Sequence, residues 1–335
     1  MNMIEIDGSY GEGGGQILRS AVAVSAITGS GVKIYNIRKN RPKPGLSIQH
    51  IKSIELVGKM AGATVEGLTP GSTSITFIPS GVKGGKYFLD IGTAGSISLV
   101  LQSAIPVAAF APSPVSIEVV GGTDVRWSPT IDYFKNVTLS SLGMFGFKGH
   151  VKLLSRGYFP VGGGRVVMDT EPSALHGATI DGHSVGRVRG ISATSNLPPH
   201  VAKRQAESAT KYLKSVGLDS DPVVLDVRND LSTGSSITLY SGFHGGSALG
   251  ERGLPAEKVG IEAAINLANC IESGAAVDPF LCDQLITFMA LAKGPSCITT
   301  SSVTSHAVTN MWIMEKMTGR RFTVAKNKNI SIQSV

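Results

Sequence analysis

At 335 residues, with 42% hydrophobic residues and 41 glycines, the chain is long enough to bury a sizeable core and too apolar to be disordered. Lys and Arg outnumber Asp and Glu by 31 to 24, a net charge of +7 that suits a polyanionic partner without requiring one. Cys270, Cys282 and Cys297 form no CxxC pair, which argues against a zinc ribbon or a disulfide framework. The start MNMIEIDGSYGEGG lacks a basic-then-apolar leader, and the longest apolar stretch, Leu99 to Ala111, is broken by Gln102, Ser103 and Pro106; a cytoplasmic protein with no membrane segment is expected.

In chain order, apolar spacing predicts a helix over 16–28, an alternating strand over 32–38, a helix over 46–62 closed by Gly62, and a strand over 73–79. The same order returns as a helix over 95–110, a strand over 115–122, a helix over 128–143 and a strand over 149–157. Gln16 and Gln102 near the starts of the two first helices set a period of 102 − 16 = 86 residues. A third copy follows near the end: a helix over 280–292 carrying Gln284, a strand over 297–302 and a helix over 305–319. Gln102 and Gln284 are 182 residues apart, so about 96 residues beyond one period must be inserted.

The excess chain has its own elements. A strand is predicted over 185–195, a helix over 199–217 opened by proline and closed by Gly217, strands over 223–230 and 235–242, and a returning helix over 255–274. The expectation is therefore an α/β (α+β) protein, with residues 1–180 and 278–335 forming a large three-repeat unit and residues 181–277 a smaller inserted α/β domain. A site drawing on all three repeats should lie where they meet.

Four segments carry candidate chemistry. Around Glu12, Gly11, Gly13, Gly14 and Gly15 precede a helix, so that backbone N–H groups can approach an anion; the same residues also suit a plain strand-to-helix turn. Arg38, Lys39, Arg41 and Lys43 gather four cations in six residues beside two prolines, fit either to clamp phosphate or to stand as a solvated loop. His306 opens the last helix after a run of hydroxyl residues, where an imidazole held through one nitrogen can attack phosphorus through the other, or simply cap the helix. Asp283 and Gln284 could meet sugar hydroxyls and Phe280 could stack on a base, although Phe280 equally suits a core.

Taken together, DGSYGEGGGQILR (7–19), IRKNRPKPGLSIQH (37–50), IGTAGSISLVLQS (91–103), GYFPVGGG (157–164), GERGLPAEKVG (250–260), DQL (283–285) and SHAVTN (305–310) resemble the RNA 3'-terminal phosphate cyclase family across essentially the whole chain. The resemblance implies three repeats, each like the C-terminal domain of bacterial translation initiation factor three, with a smaller insert between the second and third. It also implies an ATP-dependent reaction in which His306 becomes adenylylated, passes AMP to an RNA 3'-phosphate, and the neighbouring 2'-hydroxyl then closes a 2',3'-cyclic phosphate. Glu12 would hold Mg2+ or Mn2+. Arg19, Arg38, Arg41 and Gln49 would line the phosphate and RNA end, Gln102, Asp283 and Gln284 would contact the nucleotide, and Pro129 and Phe280 would sandwich adenine. Phe280 replaces a Tyr usual in the family, keeping the stacking surface but losing the hydroxyl. Two other readings share such repeats: a non-enzymatic ribosome-assembly protein, which would lack His306, and a carboxyvinyl transferase, which would not call for a histidine in this setting. DNA 3'-phosphate or 5'-phosphate ends are alternative acceptors.

Overall fold

The computed structural model describes residues 3–182 and 184–335; Met1, Asn2 and His183, which the expected unit boundaries take in, lie outside the described residues. The first repeat runs β1 (Met3–Asp7), α1 (Gly15–Thr28), β2 (Gly31–Tyr35), α2 (Ile48–Ala61), β3 (Thr64–Glu66) and β4 (Ile75–Ile78). Its sheet has the order β1-β2-β4-β3, with β1 parallel to β2 and the remaining pairs antiparallel. The second repeat, β5 (Gly85–Asp90), α3 (Ile97–Ala109), β6 (Val115–Gly121), α4 (131–143), β7 (Gly149–Ser155) and β8 (Gly164–Thr170), repeats that order as β5-β6-β8-β7. In α4 the expected helix is interrupted by a π-turn at Phe134–Thr138.

The third repeat is divided. Its first strand, β9 (Thr179–Ile180), comes before the inserted elements β10 (Arg189–Ser195), α5 (Pro199–Ser215), β11 (Val224–Arg228), β12 (Gly234–Ser241), β13 (His244–Leu249) and α6 (Ala256–Glu272). The remainder follows them: α7 (Pro279–Leu291), β14 (Ser296–Thr300), α8 (Ser305–Thr318), β15 (Phe322–Lys326) and β16 (Ile330–Ser334). The sheet order β9-β14-β16-β15 is that of the other repeats, with Thr179 paired to Cys297 and Ile180 to Ile298. The extra chain thus enters the third repeat after its first strand, not the boundary between the second and third. It forms its own sheet, β11-β10-β12-β13, under α5 and α6.

The repeat period also changes. Gln16 is the second residue of α1 but Gln102 the sixth of α3, so the two glutamines are not equivalent. Helix starts at Gly15 and Ile97 give 97 − 15 = 82 residues, and Gln284, sixth in α7, is the true counterpart of Gln102.

Burial explains why these segments form. Helix α1 is buried along Ile17–Ala26 because it packs against α2, α3 and α8, so its stability comes from tertiary contact more than propensity. Strand β6 buries every second residue, as a sheet with one face on a core demands. One hydrophobic core runs through all three repeats, and a second, built by Ala209, Leu213, Ile237, Leu239, Ala263 and Leu267, lies under α5 and α6. Polar contacts join the inserted sheet to the repeats. Buried Arg156 bonds Asp124 (3.1 Å) and Asp132 (2.8 Å) of the second repeat and Asp226 (2.8 Å) of β11. Asp278, the N-cap of α7, accepts from Tyr133 Oη (2.8 and 2.9 Å) and from the Gly245 N–H (3.0 Å), and burial pushes its carboxyl up to about 6. No helix among the described residues is long and apolar enough to cross a membrane.

Candidate active site

The Gly-rich segment leaves β1 through a turn in which Asp7 accepts from Ser9 N–H (2.9 Å) and Ser9 Oγ–H (2.7 Å). Gly11 and Gly13 take positive φ, +58° and +57°, which side chains disfavour. The next two glycines are required by proximity instead. A Cβ on Gly14 would run into the Glu12 carboxylate, and one on Gly15 into the His50 ring. The segment therefore folds its only carboxylate back over the start of α1.

Glu12 meets His306 there. Glu12 Oε1 lies 2.8 Å from His306 Nδ1, and Glu12 Oε2 lies 3.3 Å from Arg41 Nη2. Burial works to raise the Glu12 carboxyl, but the bond to His306 and the charges of His306, Arg41 and Arg19 outweigh it and hold the group below its ordinary value. The same bond raises His306, against the opposing effect of burial. With Nδ1 next to Glu12, Nε2 is the nitrogen left for other chemistry.

Position 306 is fixed by its neighbours. Thr304 caps α8, accepting from Ala307 N–H (3.0 Å) and donating to Asp283 Oδ1 (2.5 Å). Asn310 donates to the Asp283 carbonyl (2.9 Å) and accepts from Ser20 Oγ–H of α1 (2.5 Å), tying the third repeat to the first. Burial pushes the Asp283 carboxyl up to about 7 despite Thr304 and His306. Asp283 is thus a half-buried carboxyl near the histidine whose surroundings favour its neutral form.

Three arginines stand at the site: Arg19 and Arg41 act on Glu12, and Arg38 lies beside Arg41 and His50. Arg19 is buried, donates to Gln16 Oε1 (2.8 Å), and has an Nε–H without a hydrogen-bond partner; burial lowers its guanidinium to about 10, with Glu12 opposing. Arg38 adopts φ +54° and donates to the Gly45 carbonyl (2.8 Å), and burial, then Arg41, lowers its pKa. Lys39 and Lys43 stay exposed, so of the four expected cations only the two arginines turn inward. Three guanidinium groups against one carboxylate make a site with room for more negative charge.

His50 belongs to this group although the sequence reading did not single it out. Its Nδ1 accepts from the Ser47 N–H (3.2 Å), so the ring proton sits on Nε2, beside Gly15. Burial, then the charges of Arg19 and Arg38, lowers it to about 3, making it a neutral donor. Its signal was faint: a histidine at the third position of a serine-capped helix, reading as part of the cap.

The other expected residues are placed less directly. Gln49 Oε1 accepts from the Ser96 N–H (3.0 Å) and so braces the start of α3. Gln284 uses both ends of its amide internally, accepting from Thr138 Oγ–H and donating to the Phe280 carbonyl, each at 3.0 Å. Gln102 and Pro129 are half-buried, and the Pro129 carbonyl accepts from Ser98 Oγ–H (2.7 Å). Phe280 is 65% exposed, which sets aside the core alternative. Among the described residues no hydrogen bond joins Gln102, Pro129 or Phe280 to Glu12 or His306.

An imidazole with a carboxylate behind it and a cationic rim is an arrangement that can support phosphoryl or nucleotidyl transfer. The family model described as RNA 3'-terminal phosphate cyclase matches residues 10–324. The chain belongs to that family. Proteins named RNA 3'-terminal phosphate cyclase from Methanosarcina mazei (48% identical, covering 99% of this chain and 100% of the relative), Archaeoglobus fulgidus (48%, 98% and 99%) and Pyrococcus furiosus (47%, 96% and 95%) are similar along their full lengths. As a member of the RNA 3'-terminal phosphate cyclase family the chain is an enzyme of the ligase type, not a non-catalytic relative. A solved enolpyruvyl transferase, NikO from Streptomyces tendae, aligns at a TM-score of 0.29 and 12% identity over 99% of this chain and 65% of that one, too remote to bear on fold or function.

Proposed function

We propose that this enzyme uses ATP to convert an RNA 3'-terminal phosphate into a 2',3'-cyclic phosphodiester through an adenylate on His306. The observation that carries the reading is the 2.8 Å contact between His306 Nδ1 and Glu12, which leaves the Nε2 lone pair free to attack. His306 attacks the α-phosphorus of ATP: the N–P bond forms, the bond to the pyrophosphate oxygen breaks, and Glu12 balances the positive charge arising on the ring. An oxygen of the RNA 3'-phosphate then attacks the histidine-bound phosphorus, and the N–P electrons return to the imidazole. Finally the 2'-hydroxyl oxygen attacks the activated 3'-phosphorus, its proton passing to solvent, and AMP leaves. Adenylylation is needed because an unmodified phosphate oxygen is a poor leaving group.

Arg19, Arg38 and Arg41 supply the charge that holds the phosphates, and the unpaired Arg19 Nε–H is a donor already desolvated for such an anion. Gln49 borders the same rim from α2. The nucleotide contacts we assign to Gln102, Asp283 and Gln284, with adenine between Pro129 and Phe280. Among the described residues no group of three or more His, Cys, Asp or Glu could hold a metal, so Glu12 fits only an ion completed by phosphates and water, as Mg2+ or Mn2+ would be. Such an ion would neutralise phosphate charge. The separate core under α5 and α6 supports treating 181–277 as an inserted domain and 1–180 with 278–335 as the catalytic one. The free cysteines suit the cytoplasm, where we place the reaction.

The test is incubation with α-labelled ATP. Wild type should retain a label stable to alkali and released by acid, the behaviour of a phosphoramidate, and His306→Ala should retain none. Equal labelling of the two proteins would remove His306 from the mechanism.

A further inference from the structure

The loop carrying Glu12 runs antiparallel to α8, and its residues face successive steps of that helix. Glu12 meets His306, a Cβ on Gly11 would lie 2.5 Å from Thr309 Oγ1, and Tyr10 stacks on Trp312 with ring centroids 3.9 Å apart and planes 10° from parallel. Lys316 Nζ lies 4.8 Å from the Trp312 centroid. Tyr10 is nevertheless 39% exposed, so an aromatic surface faces solvent on top of an aromatic and a cation. Six residues of helix separate Trp312 from His306, about 9 Å along the axis.

The residues assigned to adenine come from the second and third repeats, whereas this pair comes from the first and third. An adenine held between Pro129 and Phe280 would leave this pair to another ring. Single-stranded RNA is held by stacking of unpaired bases on aromatic rings next to cations, and every base has a face to offer. A loop clamp alone would be satisfied by a buried aliphatic contact and gives no reason for a cation beside the exposed pair.

We propose that Tyr10, backed by Trp312 and Lys316, is a stacking platform for the penultimate nucleobase of the RNA, positioning the 3'-phosphate at His306. This rests on the RNA-cyclase reading above and extends it to a second nucleotide. The test compares wild type, Tyr10→Phe and Tyr10→Ala on an oligoribonucleotide 3'-phosphate and on the same strand abasic at the penultimate position, with self-adenylylation measured in parallel. Tyr10→Ala should self-adenylylate normally but show a KM for the intact strand raised about tenfold. Wild type should suffer the same rise on the abasic strand, Tyr10→Ala should lose nothing further there, and Tyr10→Phe should match wild type throughout. An unchanged KM in Tyr10→Ala, indifference of wild type to the abasic site, or loss of self-adenylylation in Tyr10→Ala overturns the platform while leaving the cyclase reading intact. A wild type that takes no label and cyclises neither strand overturns both.

Discussion

Replacing Glu12 by Gln removes one charge from the Glu12–His306 pair while keeping its size and an acceptor oxygen. The Glu12 side chain is 13% exposed and lies 2.8 Å from a His306 ring that is 47% exposed. A hydrogen bond to a charged group contributes about 1.5–3 kcal/mol. Because half of the imidazole is open to water, the lower end applies, about 1.5 kcal/mol, or roughly a tenfold slower attack. The assay is single-turnover self-adenylylation with α-labelled ATP, followed from about pH 5 to about pH 9 around the ordinary histidine range. Glu12 raises His306, chiefly through their hydrogen bond, so wild type should lose activity as pH falls through a point above the ordinary imidazole value. In Glu12→Gln that limb should move to lower pH, and the tenfold deficit at alkaline pH should shrink toward the acid side. Equal rates at all pH values, or a limb displaced upward, would refute this account of the pair. A deficit erased by excess Mg2+ would instead assign the effect to metal holding.

Two further outcomes follow from the geometry. Arg156→Met should cost about 3–5 kcal/mol in urea denaturation, because it strands buried Asp124 and Asp132, while Asp226 keeps Arg228 at 2.7 Å. Burial already raises Asp132, with Arg156 opposing; without Arg156 the folded state binds a proton more readily than the unfolded chain, so the deficit should narrow as pH falls, and Asp132→Asn in the same background should recover part of it. Phe280→Ala should raise the KM for ATP about fivefold or more, the loss expected for one stacked base, with little change in melting temperature because the ring is 65% exposed. A large melting shift with an unaltered KM would make Phe280 structural.

The repeats were legible because each first helix is apolar over most of its surface and each following strand alternates, signals that survive without tertiary context. The period was not, since Gln16 and Gln102 are alike in type but four positions apart in helix register. Strand 32–38 stops at Tyr35 because Asn36 and Arg38 take positive φ, a choice no propensity announces for non-glycine residues. The β15–β16 hairpin was missed: β15 is exposed through Lys326 and offers no buried alternation. At the site, Glu12, Arg41 and His306 could be named from residue type and resemblance. The neutral state of His50 and the raised carboxyl of Asp283 come chiefly from burial, with distant Arg19 adding to the one and distant Glu12 to the other, and burial of this kind has no local signature.

The divided third repeat has a consequence for how the chain folds. Thr179 must find Cys297, a closure of 297 − 179 = 118 residues, to complete the sheet of the third repeat. Were the intervening chain loose, this would be the most demanding strand pairing among the described residues, since entropy is spent before any contact compensates. The inserted elements have a core of their own, and the chain on either side of them, β9 before and α7 after, belongs to the same repeat. If they collapse first, the long closure becomes a short one. The repeat that carries His306 would then depend for its assembly on the inserted elements folding ahead of it.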